Sequence, residues 1–483
     1  MQLGRWIHTS TLLVGLSFLL GGCASVSPTS NALDQLLADP ALQGATVSLM
    51  VRDARSGNTL YQHNPRTRLV PASNLKLLTT AAAMDVLGPQ YRFATQLLSN
   101  GIRQGDRLTG NLYLRGLGDP TIQFADYQAL AAQLASQGVR QVQGDLVFDD
   151  TWFDAERLGV DWSHDDETTY YGAQISALTV SPNSDFDAGS VLVTAKAPVR
   201  VGVPVNVEIF PPTDYLQLSN RAVSGPGNTY GINRRHGTNL LQLSGAVAPG
   251  LQSPQLVSVW EPTQLVANLF EQALKQQGIT VLGRRVMGAT SPAGVTVLAE
   301  HQSAPLQELI TPLLKLSNNN MSEALLKAMG RQTANSGTAA AGAMAVAGFL
   351  KRQGVDTATL KQVDGSGLSR QNLVSAQTLT DLLLAASKQP WFNAWYNALP
   401  IAGNTDRMTG GSLSYRLRST PAENNLHAKT GSMGGVSSLS GYITDAHGRQ
   451  LVFSMLSNNY VVAGAQVKAL ENRVAVALSR WGD

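Results

Sequence analysis

The feature that most constrains the fold of this 483-residue chain is a long stretch of predicted β-strands between two segments that contain predicted helices. Two strands are predicted around a turn at Ser56-Gly57-Asn58, and a helix starts near Ser73. Residues 95–300 then read as short strands with many Gly, Pro and Asn turns, and helical periodicity returns after about residue 303. An α/β domain split around a β-rich insertion explains this order, and the chain is long enough for two or three domains.

The first 23 residues are typical of a signal peptide. A basic start with Arg5 precedes a short apolar core, TLLVGLSFLL, which is too short for a comfortable membrane span. Leu20-Gly21-Gly22-Cys23 follows and is similar to a bacterial lipobox, in which the cysteine becomes the lipidated first residue. An ordinary signal peptide that happens to contain cysteine is the alternative. Cys23 is the only cysteine, so no disulfide can stabilise the fold.

These features predict an exported protein of the cell envelope, in the periplasm or at the outer cell surface, with a membrane anchor on Cys23. Residues 24–32 are a short tether. Ala24 stands where an aspartate would be expected for retention in the inner membrane, which favours the outer membrane in a Gram-negative cell. Charged residues make up only 14% of the sequence, which also fits an envelope protein better than a cytosolic one.

Charge and histidine spacing argue against two classes of partner. The formal net charge is +3 without a Lys/Arg block, so no nucleic acid is expected as a partner. The seven histidines show no metal-ligand spacing, and His427 beside a strand motif is interpreted as structural. We therefore expect no metal site and no cofactor.

The segment PASNLK contains the first candidate for chemistry, Ser73 with Lys76. A helix N-cap followed by a surface lysine is the plain interpretation. The alternative is a nucleophile beside its base, because residues i and i+3 share one helix face. A serine hydroxyl needs such a base, and a lysine serves only when burial or a neighbouring cation lowers its pKa.

Two further motifs follow in a fixed order. Ser317-Asn318-Asn319 lies between an apolar stretch and a predicted helix, and Lys429-Thr430-Gly431 lies in a predicted strand. S-x-N also occurs at Ser181 and Ser457, but the first copy lacks a following helix and the second comes after K-T-G. The order S-x-x-K, S-x-N, K-T-G occurs in penicillin-binding proteins and serine β-lactamases.

Beyond these motifs, the chain resembles the class C low-molecular-mass penicillin-binding proteins, D-Ala-D-Ala carboxypeptidases that also act as endopeptidases. The resemblance runs from about residue 33 to the C-terminus. It also rests on four stretches: YYGAQISALTVSPNSDFDAG (170–189), LLKLSNNNMSEALLKAMG (313–330), VDGSGLSRQNLVS (363–375) and LPIAG (399–403).

The resemblance implies a multidomain α/β protein. Its catalytic domain, of the penicillin-binding and serine β-lactamase-like transpeptidase type with helices on an antiparallel sheet, comprises residues 33–94 and 300–483. One inserted domain comprises residues 95–180 and 262–299. A second β-rich domain, residues 181–261, is nested within the first.

The resemblance also implies roles for these residues. Ser73 becomes acylated and Lys76 takes its proton. Ser317 and Asn319 complete the proton path and bind the substrate amide, while Lys429 and Thr430 hold the terminal carboxylate. Backbone N–H groups of Ser73 and of Ser432, which follows Gly431, form the oxyanion hole.

Two more residues are implied at the subsite for the side chain of the stem peptide's third residue. Arg370 in GSGLSR is one, and an exposed residue after a glycine turn is its plainer reading. Asp149 in FDD is the other, although Asp150 adjoins it. Gly434 stands where the family has a polar residue, so we expect weaker binding of the side chain of the third peptide residue.

The expected partners are peptidoglycan stem peptides and β-lactam antibiotics. Two other functions are alternatives to a carboxypeptidase with endopeptidase activity. A serine β-lactamase shares the three motifs but not the DGSGLSR and YYGAQISAL stretches. A penicillin-binding sensor or structural wall lipoprotein would not need the nucleophile–base pair.

Overall fold

A computed structural model describes residue 1 and residues 28–482, and the element bounds below are given within those residues. The α-helices in this part of the chain are α1 (Pro28–Leu37), α2 (Lys76–Val86), α3 (Phe124–Ser136), α4 (Pro262–Gln276), α5 (Leu306–Leu316), α6 (Asn319–Ala334), α7 (Ala339–Arg352), α8 (Ala376–Ala386), α9 (Phe392–Ala398), α10 (Arg407–Gly410) and α11 (Gly464–Ser479).

The strands in the same residues are β1 (Thr46–Asp53), β2 (Thr59–His63), β3 (Ala94–Ser99), β4 (Arg103–Gln104), β5 (Arg107–Leu108), β6 (Leu112–Gly116), β7 (Gln141–Val142), β8 (Leu146–Asp149), β9 (Ser190–Lys196), β10 (Asn206–Phe210), β11 (Gln217–Asn220), β12 (Val223–Ser224), β13 (Gly231–Arg234), β14 (Leu240–Ser244), β15 (Ala246–Val247), β16 (Gln252–Ser258), β17 (Thr280–Val281), β18 (Arg285–Met287), β19 (Thr296–Gln302), β20 (His427–Met433), β21 (Val436–Thr444) and β22 (Gln450–Asn458).

A five-stranded antiparallel sheet joins the two ends of the described chain. Its strand order is β2-β1-β22-β21-β20, so that β1 from the N-terminal segment pairs with β22 near the C-terminus, with Leu49 opposite Met455. Successive β22 residues alternate between the two faces, as a pleated strand requires: Phe453 packs with α1 and α11, whereas Val452 packs with α2, α5 and α8. Helices on both faces of an antiparallel sheet confirm the predicted fold class.

The inserted residues form further sheets. The largest has the order β18-β8-β6-β3-β19 and is flanked by α3 and α4, and smaller sheets are built from strands between residues 190 and 258. One cluster of buried apolar residues extends across residues 95–180 and 262–299 and into residues 181–261. It includes Leu97 on β3, Phe270 on α4 and Val193 on β9. The two inserted segments therefore share a continuous core.

The helix predicted from about Ser73 begins three residues later. Residues Ala72–Leu75 form a 3₁₀ turn, and α2 starts at Lys76. Ala72 has a φ of 46°, in the left-handed region that a residue with a Cβ seldom adopts. Ser73 is therefore held in a tight turn ahead of the helix rather than acting as its N-cap.

The predicted lipobox, Leu20-Gly21-Gly22-Cys23, lies outside the described residues, as do the rest of the predicted signal peptide after residue 1 and residues 24–27 of the predicted tether. Residues 28–32 of that tether are described, and they form the start of α1 rather than a flexible linker. Within residues 28–482, no helix is both long enough and apolar enough to span a membrane.

Candidate active site

The 3₁₀ turn places Ser73 where α2, the edge strand β20 and the loop at residues 364–370 meet. The neighbouring chain segments approach so closely that two glycines are required. A Cβ on Gly431 would lie 2.3 Å from Ser438 Oγ and 3.0 Å from the backbone nitrogen of Ser73. A Cβ on Gly367, whose φ is +85°, would lie 1.9 Å from the carbonyl oxygen of Ala72. The third letter of K-T-G is thus a steric requirement of the nucleophile's position.

Lys76 is completely buried and its ammonium nitrogen, Nζ, contacts three oxygens. Nζ lies 2.9 Å from Ser73 Oγ and 2.7 Å from Asn319 Oδ1. It also donates to the carbonyl oxygen of Ser366, at 2.7 Å. The amine is therefore positioned to take a proton from the Ser73 hydroxyl.

Burial lowers the pKa of Lys76 from 10.5 to about 7, against the opposing effect of two nearby carboxylates, Asp364 and Glu323. Glu323 lies on α6 and accepts hydrogen bonds from the backbone N–H groups of Gly365 (2.9 Å) and Ser366 (2.8 Å). Burial, with Asp364 adding to it, raises the pKa of Glu323 to about 7. A substantial fraction of Lys76 is therefore neutral near pH 7, as a general base requires.

The S-x-N motif spans the junction of two helices. Ser317 ends α5 with a φ of 61°, and Asn318 caps α6 by accepting from the backbone N–H of Met321 at 2.9 Å. Asn319 then points its amide nitrogen to the Tyr171 carbonyl oxygen, at 2.9 Å, and its amide oxygen to Lys76. The two outer residues of the motif face the site, and the middle one builds the helix end.

Lys429 on β20 is also completely buried. Its Nζ donates to Ser317 Oγ at 2.9 Å and to the Thr430 carbonyl oxygen at 2.8 Å. Burial and the proximity of Lys76 hold the pKa of Lys429 well below its usual value. Each lysine thus contacts a different serine hydroxyl: Lys76 contacts Ser73, and Lys429 contacts Ser317.

A cavity of about 700 Å³ opens over these groups. Its lining includes Ser73, Ser317, Asn319, Ser432 and Arg370. A smaller cavity of about 300 Å³ shares the two serines and adds Thr430, whose hydroxyl lies 2.7 Å from Ser412 Oγ, and Gly431. The exposed Arg370 donates to the Gly434 carbonyl oxygen at 2.8 Å.

Asp149 does not line these cavities. It is buried at the end of β8, where its carboxylate accepts from Thr151 Oγ1 (2.7 Å) and from the backbone N–H of Ser291 (2.7 Å). The first bond closes a local turn after β8, and the second joins this turn to the distant residue 291. The assignment of Asp149 to the substrate is therefore corrected: it is a buried turn residue.

The acidic groups that do line the large cavity are Asp161, Asp165 and Asp166, in a loop that also carries Trp162. The indole N–H of Trp162 donates to Asp364, which ties this loop to residues 364–370. Sequence reasoning missed these residues because a run of aspartates is also typical of an ordinary solvated loop. A dense run of aspartates around a tryptophan was the one available signal.

Two other functional groups were missed, Glu323 and Asp364, which act on Lys76 through charge. Glu323 lies four residues after Asn319, on the same face of α6, and that spacing was visible in the sequence. His427 has the expected non-catalytic setting: its ring stacks on Tyr396 with centroids 4.3 Å apart, and burial lowers the pKa of His427 to about 4.

The chain is similar to a known family and to known proteins over most of its length. The sequence model described as "D-Ala-D-Ala carboxypeptidase 3 (S13) family" matches residues 29–481. A D-alanyl-D-alanine carboxypeptidase of Actinomadura sp. (strain R39) is 42% identical over 480 residues, covering 96% of this chain and 88% of the relative. The D-alanyl-D-alanine carboxypeptidase DacB of Haemophilus influenzae is 29% identical over 466 residues, covering 94% of this chain and 93% of the relative.

Solved structures of penicillin binding protein 4 are also similar to this chain over most of its length. Penicillin binding protein 4 (dacB) of Haemophilus influenzae superposes with a TM-score of 0.81 at 26% identity, over 93% of this chain and 99% of the other. The same protein in complex with a novel β-lactam superposes with a TM-score of 0.76 at 25% identity, over the same shares.

Proposed function

Because the chain belongs to the D-Ala-D-Ala carboxypeptidase 3 (S13) family, it is a serine-type D-Ala-D-Ala carboxypeptidase, and we propose that Ser73 is its nucleophile and Lys76 its general base. The observation that carries this proposal is the 2.9 Å contact between Lys76 Nζ and Ser73 Oγ, together with the pKa of Lys76 near 7. Lys429 is the weaker candidate for the base because it contacts Ser317 instead.

The proposed reaction has two halves. In the first, Ser73 Oγ attacks the carbonyl carbon of the penultimate D-Ala while Lys76 takes the hydroxyl proton. The oxyanion is stabilised by the backbone N–H groups of Ser73 and Ser432. The proton taken from Ser73 passes from Lys76 through Ser317 to the amide nitrogen, the C–N bond breaks, and terminal D-Ala leaves as a free amine. In the second half, water attacks the ester with Lys76 as base and frees the shortened peptide.

Five side chains bind the substrate in this proposal. Thr430, which lines the smaller cavity, and Lys429, which precedes it on β20, hold the terminal carboxylate. The negative charge of that carboxylate would favour the protonated form of Lys429. Asn319 is oriented by Tyr171 and Lys76, and it holds the peptide amide. Arg370, with the exposed Asp165 on the same cavity, suits a side chain that carries both an amine and a carboxylate.

We propose D,D-endopeptidase activity on cross-linked stem peptides as a finer feature. The chemistry is the same except that the leaving amine belongs to a second peptide. The large cavity is flanked by another of about 380 Å³ that shares Tyr171, Ser317 and Asn319, which supports binding of a second chain beyond the scissile bond.

We also propose that the protein is acylated by penicillin, which the β-lactam complex of the structurally similar Haemophilus protein supports. A labelled penicillin should mark the wild type and leave Ser73→Ala unmarked. Incubation with muropeptide monomers and cross-linked dimers should release D-Ala and separate the dimers, as resolved by mass. Labelling that survives in Ser73→Ala would contradict the assignment, and rapid release of hydrolysed penicillin would favour a β-lactamase.

For localisation, we propose export to the cell envelope and a lipid anchor on Cys23. The support is the order of a basic start, a short apolar core and the lipobox-like Leu20-Gly21-Gly22-Cys23. Anchored by acyl chains, the catalytic site would act on peptidoglycan near the membrane surface.

A further inference from the structure

Three side chains with metal-binding atoms converge beside the loop that lines the active-site cavity. His164 lies in a 3₁₀ turn, His164–Asp166, and Glu167 follows it directly. His236 comes from the turn between β13 and β14, 69 residues further along the chain. One nitrogen or oxygen atom from each side chain lies within 4.8 Å of the others. We propose that His164, Glu167 and His236 bind a divalent transition-metal ion, for which Zn²⁺ is the best match.

The three ligand atoms lie within 4.8 Å of one another, and one separation already matches a tetrahedral site. Zinc–nitrogen and zinc–oxygen bonds of about 2.0–2.2 Å separate neighbouring ligand atoms by roughly 3.3–3.6 Å. Glu167 Oε2 lies 3.3 Å from His164 Nδ1, which is already such a separation. It lies 2.6 Å from His236 Nδ1, a hydrogen-bond distance. That contact would lengthen by about 0.7 Å when a metal replaces the shared proton.

The donor set selects the class of metal. Two imidazoles and one carboxylate suit zinc and its neighbours, whereas calcium and magnesium prefer oxygen ligands alone. Both histidine side chains are largely exposed, so an ion can enter and can take water as a fourth ligand. The carboxylate between them is only 7% exposed, which orients it before any metal arrives.

A second observation points to a missing partner at this place. Glu167 Oε1 is buried and has no hydrogen-bond partner, which is costly for a carboxylate oxygen. The nearest cationic group is Arg234, whose Nη2 lies 3.9 Å away and is committed to the Glu167 carbonyl oxygen at 2.9 Å. Arg234 weakens metal binding by its charge but leaves this oxygen unsatisfied. A divalent ion bound at Oε2 would offset the charge of this buried carboxylate and so reduce the cost.

A bound metal would link two parts of the molecule. His164 lies between Ser163 and Asp165, and both of these line the active-site cavity. His236 belongs to the second inserted segment, so coordination would tie the cavity wall to β13 and β14. The protein would then gain thermal stability with Zn²⁺, because the ion binds the folded form alone.

The test uses protein without a polyhistidine tag, treated with a chelator and dialysed. Titration calorimetry with ZnCl₂ should show one ion per chain, and CoCl₂ should give the visible absorption bands of a four-coordinate ion. Because loss of outer-sphere groups already weakens metal sites by about 10–100-fold, the double variant His164→Ala/His236→Ala should bind at least ~10-fold more weakly. His447→Ala, which alters another exposed histidine, is the matched control.

Two results would overturn the proposal. One is wild-type protein that binds no Zn²⁺ at millimolar concentration and shows no rise in Tm, which would leave a histidine–glutamate ion pair only. The other is a double variant that binds Zn²⁺ as tightly as the wild type. Should the double variant fail to fold, His236→Gln alone, compared with His447→Gln for binding and Tm, decides the matter.

Discussion

The pH dependence of penicillin acylation is the sharpest test of the role of Lys76. Its pKa of about 7 sets the fraction that is neutral and able to accept the Ser73 proton. With this pKa the neutral fraction is about 9% at pH 6 and about 91% at pH 8, so the second-order acylation rate should rise roughly tenfold and then level off. A lysine with an ordinary pKa would give a rise of about 100-fold over the same interval and no plateau.

The variant Glu323→Gln removes a negative charge that lies near Lys76. The Glu323 carboxylate favours the charged form of Lys76, so its removal should lower the pKa of Lys76 further. The midpoint of the acylation profile should therefore move to lower pH. Glu208→Gln, which alters an exposed carboxylate on β10, should leave the midpoint unchanged.

The assay is stopped-flow or quenched labelling with a fluorescent penicillin from pH 5 to pH 9, with circular dichroism to check folding. The rate constant at low penicillin concentration reports ionisations of the free enzyme. A wild-type profile that rises about 100-fold between pH 6 and pH 8 would refute a depressed pKa. A midpoint that stays in place in Glu323→Gln would show that Lys76 is not the titrating group.

Three further predictions follow from the structure and the sequence. Gly431→Ala should abolish most penicillin labelling while Gly231→Ala does not, because the Cβ added at Gly431 displaces the Ser73 turn, whereas Gly231 lacks a positive φ and nothing lies within 4 Å of a Cβ added there; equal labelling would contradict the steric argument. Cys23→Ser should release the protein from the membrane fraction with penicillin labelling intact, and its mass should show no acyl groups. Identical fractionation of the wild type and the variant would contradict the proposed lipid anchor. Limited proteolysis should cut first in the exposed turns at 199–202 and 226–229, and the nicked protein should still be labelled; first cuts within residues 300–483 would contradict this expectation.

The sequence by itself was sufficient for the family, the fold class and the carboxypeptidase activity. Residue types and their spacing carry this information locally: Ser73 and Lys76 are one helical turn apart, and strand and helix textures follow periods of 2 and 3.6. The order of the three motifs then restricts the fold, because few folds bring such segments together.

Only the tertiary structure decided what depends on burial and on distance between remote segments. The pKa of Lys76 near 7 arises from complete burial, with opposing effects from Glu323 and Asp364, and no local pattern reports it. Asp149 was misassigned because a sequence does not show which aspartate of a β-rich segment reaches a cavity and which one closes a turn.

The cluster of His164, Glu167 and His236 is another feature that the local sequence does not reveal. The spacing of the seven histidines predicted no metal site, since His236 lies 69 residues after Glu167. Packing of the second inserted segment against the cavity loop brings their side chains to 2.6 Å. Distances of this kind are set by the sum of many long-range contacts, which is why they follow from the folded chain and not from its local sequence.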